Sequence, residues 1–163
     1  MITQERVQEL FHYCPGLGLF WHKPRQPVDV HAVRWNTKYA GKIAGSRNSQ
    51  GYVILQIDGA KERAHRMAWL YMTGELPMGD VDHWNLNRED NAFDNLRLAT
   101  TTQNHANKRG WSKTGRKGVS VLPSGRFGAW CRKEYLGSFD TAEEASDRYF
   151  ERAVQEFGEF ARC

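Results

Sequence analysis

Asp82-His83, Asn95 and Asn104 follow one another in the order Asp-His, eleven residues, Asn, eight residues, Asn. His83 titrates near neutral pH, so it can take a proton from water under working conditions. Asp82 projects to the other side of an extended backbone and can hold a cation while His83 faces the water. Asn104 offers a neutral carbonyl oxygen as a second ligand, and such an oxygen set suits Mg2+ or Mn2+ better than zinc. Asn95 can either fix the imidazole tautomer or tie the intervening loop together. A lone histidine is more often a packing residue, and asparagine is common in turns. Together at this spacing they supply what phosphodiester cleavage needs: an activated water, a hard cation and an oriented base.

The surrounding elements read as β, loop, β, α. Val81 and Asp82 end a short strand, Asn95 to Ala99 form the returning strand, and Thr100 starts a helix through Asn104 to about Lys108. Upstream, Thr3 caps a helix with Val7, Leu10 and Phe11 on one face, ended by Pro15-Gly16. Residues 18–22 form a strand, and residues 23–39, with Pro24 and Pro27, take no assignment. From Ala40 to Ala64 the chain is β structure: a turn at 48–51, a strand from Tyr52 to Ile57 and a tight turn at Asp58-Gly59. His65 to Thr73 form a helix with Met67, Leu70 and Tyr71 on one face, stopped by Gly74.

A chain of 163 residues fits one domain or two small ones. Its formal net charge of +4 and pI near 9.0 favour anionic partners. Between Lys108 and Lys133 there are eight Lys and Arg residues and no acidic one, interleaved with Trp111, Phe127 and Trp130. That is the composition of a nucleic-acid footprint, the alternative being a solvated linker. Cys14, Cys131 and Cys163 have neither the paired spacing of a zinc site nor that of a disulfide framework. No apolar signal region opens the chain and no run reaches membrane-spanning length, so a cytoplasmic protein is expected.

Residues 109–117 read as a basic linker. Beyond it, short strands are expected at about 118–122, 126–132 and 134–138, followed by a helix capped by Asp140 with Glu143 three residues on. Ala142, Ala145, Tyr149 and Ala153 make its apolar stripe. In the middle strand Arg126, Gly128, Trp130 and Arg132 share one face, and Phe127, Ala129 and Cys131 share the face toward the helix.

Asp82-His83, Asn95 and Asn104, with the upstream Ala-His-Arg-Met-Ala-Trp-Leu-Tyr of 64–71, resemble an HNH endonuclease of the His-Asn-Asn subtype, a family frequent among phage homing enzymes. The resemblance covers roughly 40–108. It implies a ββα-metal fold, one Mg2+ held by Asp82 and Asn104, His83 as general base, Asn95 orienting His83, and products with 5′-phosphate and 3′-hydroxyl ends. His105 follows Asn104 as a possible supporting residue, but adjacent helical residues diverge by about 100°, so the two are not expected to ligate one ion. His65 can support the site from its own helix, or simply pack or cap.

Residues 118–157 resemble the ethylene-response-factor (AP-two/ERF) DNA-binding domain, most specifically in Leu136-Gly137-Ser138-Phe139-Asp140-Thr141 and Glu143-Glu144-Ala145. That resemblance implies a sheet that reads double-stranded DNA through Arg and Trp side chains.

The expected architecture is α+β, with an HNH nuclease domain over 1–108 whose ββα-metal motif spans 79–108. The linker 109–117 joins it to a small three-stranded sheet plus helix DNA-binding domain over 118–163. The expected function is a metal-dependent DNA endonuclease that nicks one strand as a monomer, or acts as a transient dimer on DNA. Arg109, Lys113, Arg116, Lys117, Arg126, Trp130 and Arg132 are the expected DNA contacts. The competing reading is a DNA-binding regulator with an inactive HNH segment. The intact Asp82, His83, Asn95 and Asn104 argue against it, because decay first loses the base or a ligand.

Overall fold

A computed structural model describes residues 2–110 and 112–163. Met1 and Trp111, the latter an aromatic residue of the basic block, lie outside the described residues. Two compact units divide the chain, Met1–Leu98 and Ala99–Cys163.

In the first unit, helix α1 (Gln4–Leu10) is capped by the Thr3 side chain, which accepts from the Arg6 amide. It ends earlier than Pro15-Gly16. Phe11 opens strand β1 (Phe11–Cys14), in which Phe11 and Tyr13 are buried and His12 is exposed, so a period of two displaces the helical one. β1 pairs antiparallel with β2 (Leu19–His22). The unassigned stretch contains helix α2 (Val30–Tyr39), capped by Asp29 and burying none of its residues. Strands β3 (Ser46–Arg47), β4 (Val53–Ile57) and β5 (Ala60–Arg63) form an antiparallel sheet in that order. Asp58 and Gly59, both at positive φ, make the tight turn between β4 and β5. Helix α3 (Ala64–Thr73) stops at Gly74, whose φ is 82°. It buries His65, Met67, Ala68 and Leu70 against Val7, Phe11, Phe20, Leu55 and Ile57, the main core. Strands β6 (Asp80–His83) and β7 (Leu96–Ala99) pair as a two-stranded ribbon beside that core, through Val81 and Leu96.

The second unit begins before the expected boundary at 108. Helix α4 (Thr101–Asn107), fixed by a capping box between Thr100 and Gln103, packs Ala106 against Phe160 and Phe157. Nor is 109–117 an open linker. Lys117 Nζ donates to the carbonyls of His105 (2.9 Å), Ala106 and Lys108 (2.9 Å), satisfying the end of α4. Strands β8 (Val119–Val121), β9 (Phe127–Cys131) and β10 (Glu134–Phe139) form an antiparallel sheet with β9 central. Helix α5 (Ala142–Phe157) lays Ala145, Tyr149 and Ala153 on Val119, Ala129 and Cys131. Its cap lies one residue later than expected: Thr141 accepts from Glu144 N, and the Glu144 carboxylate accepts from the Asp140 and Thr141 amides. Among the described residues no helix is long and apolar enough to cross a membrane.

Candidate active site

β6 delivers Asp82 and His83, and its pairing with β7 turns residues 84–95 back on themselves. Short polar side chains hold that loop. Asn85 Oδ1 accepts from Asn87 N at 2.8 Å, Asn87 Oδ1 from Glu89 N at 3.1 Å and Asp90 Oδ1 from Ala92 N at 3.2 Å. Asn95 closes the loop: Nδ2 donates to the Asp90 carbonyl at 2.8 Å, and Oδ1 accepts from Asn85 N at 3.0 Å. Both of these side-chain bonds serve the loop, the second of the two tasks its sequence position leaves open.

The imidazole is met instead by Asn91, a residue the motif spacing does not mark. Asn91 is 1% exposed, and its Oδ1 lies 3.2 Å from His83 Nε2. Its Nδ2 donates to the Glu89 carbonyl at 3.0 Å, and its own carbonyl accepts from Tyr13 Oη at 2.7 Å. With the amide nitrogen committed to a carbonyl, the oxygen faces the ring. Nε2 therefore carries the imidazole proton, and Nδ1 is the basic nitrogen.

The turn between β1 and β2 presses on this loop. Phe93 N donates to the Pro15 carbonyl at 2.8 Å. Gly18 has φ +68°, and a Cβ there would fall 2.1 Å from Ala92 N. Only glycine fits that approach.

Asp82 is 5% exposed and accepts from Arg97 Nε of β7 at 3.1 Å, in a pair largely shut off from solvent. Arg97 is a second participant without a motif signature. His65 is buried, its ring edge-on to His83 with centroids 4.9 Å apart, and Tyr52 lies 5.2 Å from His65 and 6.1 Å from His83. Guanidinium groups of Arg63 and Arg88 lie 4.6 and 4.7 Å from the Tyr52 ring centroid. Burial holds the His83 pKa below its ordinary value, against the opposing pull of the Asn91 hydrogen bond and the Asp82 and Asp90 charges. Burial, with His83, Arg63 and Arg66 nearby, pushes His65 down to about 3. Both imidazoles are therefore neutral at pH 7.

Residues 62–106 match the family described as HNH endonuclease. An uncharacterized HNH endonuclease of Acanthamoeba polyphaga mimivirus is 33% identical over 152 residues, covering 90% of this chain and 74% of the viral protein. The chain belongs to the HNH endonuclease family. No solved structure matches it. As an HNH endonuclease it is a nuclease enzyme with DNA as its substrate, of a family that uses a divalent metal.

Within the HNH segment the first unit brings together Asp82, His83, Asn95 and, beside them, His65. Asn104 and His105 stand on α4, in the second unit, with His105 exposed. Among the described residues no three His, Cys, Asp or Glu side chains converge as a metal cage. Asp82 offers a buried carboxylate oxygen, and Asn104, on α4, carries an amide oxygen; oxygen donors of these kinds suit a hard cation.

On the second unit Trp130 stands out from β9, 39% exposed and packed on Tyr135 at 4.6 Å, with Nε1 donating to Ser120 Oγ. Arg126, just before β9, pairs with Asp140. Arg132 does not share that face. It occupies the β9–β10 turn at φ 55° and pairs with Glu156 of α5 at 2.7 Å. Arg116 pairs with Glu143, and Lys117 is occupied by the α4 carbonyls. Arg109 and Lys113 are exposed.

Proposed function

We propose that this HNH endonuclease cleaves double-stranded DNA one strand at a time, with His83 as general base and Mg2+ or Mn2+ held by Asp82 and Asn104. The observation that carries this is the buried, neutral His83, fixed through Nε2 by Asn91 and adjacent in chain to a buried carboxylate. His83 Nδ1 accepts a proton from the attacking water as the water oxygen bonds to phosphorus. The bond from phosphorus to the 3′ oxygen breaks, and that oxygen takes a proton from solvent, leaving 5′-phosphate and 3′-hydroxyl ends. The cation would offset charge developing on the phosphate and on the departing oxygen. Asn91 holds the tautomer, Asn95 holds the loop, and Arg97 balances the Asp82 charge within the apolar surroundings.

The sheet β8–β9–β10 with α5 is proposed as an AP-two/ERF-like reader that holds duplex DNA. Exposed Trp130 on β9 and Arg126 just before it, with Arg109 and Lys113 ahead of the sheet, are its candidate contacts. Arg116 and Arg132 sit in exposed ion pairs of small worth, which a phosphate can replace.

Supercoiled plasmid incubated with Mg2+ or Mn2+, with an EDTA control and a His83→Ala variant, tests the reading. Open-circle product that needs both metal and His83 is expected. DNA binding without metal-dependent cleavage would instead leave a DNA-binding regulator.

A further inference from the structure

Helix α2 and the loop before it belong to neither the active site nor the main core. A ten-residue helix does not persist alone in water, yet α2 buries no residue. It is held from one side. The Arg25 guanidinium lies 3.9 Å from the Trp35 ring centroid, and the His22 ring meets Trp35 at 5.2 Å and Tyr39 at 5.8 Å. The Asn36 amide clasps the Arg25 backbone, accepting from its N–H and donating to its carbonyl, both at 2.8 Å. These contacts fix the helix in place and leave its other face uncovered.

That uncovered face is cationic. Arg34 and Lys38 recur at i and i+4, both exposed, with Lys42 exposed just beyond. Residues 22–42 hold five Lys and Arg against one carboxylate, Asp29, which is used as the helix cap. Arg34 and Lys38, four apart, repel mildly. Among the described residues no carboxylate pairs with Arg34, Lys38 or Lys42. On α5, by contrast, Arg148 pairs with Glu151 and Arg152 with Glu156. Partner-protein interfaces are depleted of charge at their centres, whereas DNA-binding surfaces are strongly positive.

We infer that the Arg34–Lys38 face of α2 is a second DNA contact, on the nuclease unit itself, which grips the duplex backbone independently of sequence; this rests on the nuclease reading above. Val30, Val33 and Thr37 flank the cations and are exposed, suited to lie along the sugar edge.

The test measures binding of the full chain to a mixed-sequence duplex oligonucleotide in EDTA, between about 50 and 200 mM salt. Arg34→Ala/Lys38→Ala is expected to lower the slope of log affinity against log salt by about two, and Lys42→Ala by about one, with unchanged melting temperature. Arg148→Ala/Arg152→Ala, matched in charge but on α5, is expected to keep the parent slope. A parent slope in the α2 variants, or the same reduction in the α5 control, overturns the inference. So does an α2 variant that changes only the sedimenting mass, which would mark a contact between copies. A parent that nicks plasmid while its α2 variants keep the full slope overturns this inference alone. A parent that binds no duplex overturns the nuclease reading with it.

Discussion

His83 Nε2 and Asn91 Oδ1 lie 3.2 Å apart, and the amide supplying that oxygen is itself fixed by the Glu89 carbonyl and, through its backbone, by Tyr13. The tautomer of His83 is thus set from β1, by way of a loop built from short polar side chains. The asparagine that meets the imidazole is the one eight residues after His83, and the motif's Asn95 acts on the loop that carries it.

Asn91→Ala should therefore lower kcat by on the order of 10- to 100-fold while the protein stays folded, the usual cost of losing an orienting partner. Asn91→Asp keeps an oxygen acceptor but adds a negative charge, which favours the imidazolium and raises the His83 pKa. Its cleavage rate should recover in part, with the acid limb moved to higher pH. Equal losses in both variants, with unmoved pH profiles, would reduce Asn91 to a loop residue.

The parent enzyme should show its own acid limb below the ordinary imidazole value of 6.5, because burial depresses the His83 pKa. A base must be neutral to accept a proton, so a lowered pKa widens the active range downward in pH. Cleavage should hold level from neutral pH to somewhat below 6.5, then fall, and the limb should be missing from the residual activity of His83→Ala. A limb at or above 7 in kcat/KM contradicts the assignment.

Much of this was legible where the signal is local. Asp58-Gly59, Gly74 and the Asp82-His83 strand all follow from residues within a turn of the feature they specify. So does the three-strand-plus-helix order of the second unit. Phe11 was not legible, because it fits a helical stripe with Val7 and an alternating strand with Tyr13 equally well; burial of the aromatic pair decides for the strand. α2 has no buried face, hence no apolar period to find. Arg132 continues the alternation of Arg126, Gly128 and Trp130 on paper, but the turn begins there and sends it toward Glu156. Asn91 resembles Asn85 and Asn87 until the path of the loop shows which amide points inward.

His65 gives a stability prediction independent of DNA. Folded, its pKa is about 3; unfolded, it returns to about 6.5. Between those values the unfolded chain binds the extra proton, so stability rises with pH. The contribution is intact above 6.5 and drains away below it, by about 1.4 kcal/mol per pH unit. His65→Phe removes this titration, and its urea midpoint should fall less steeply than the parent's between pH 6.5 and 4. Parallel curves would mean that His65 is solvated in solution.

Gly18 tests whether the N-terminal hairpin sets the active loop. Alanine there meets two penalties: positive φ costs an L-residue about 1–2 kcal/mol, and its Cβ would sit 2.1 Å from Ala92 N, a backbone atom that cannot rotate aside. The loop must retreat, carrying Asn91 away from His83. Gly18→Ala should lose cleavage well beyond what its lowered melting temperature explains. Gly16→Ala, in the same turn with nothing within 4 Å of its Cβ position, should keep cleavage. Similar cleavage rates in the two variants, compared where both are fully folded, would show that the loop holds its asparagine without the hairpin.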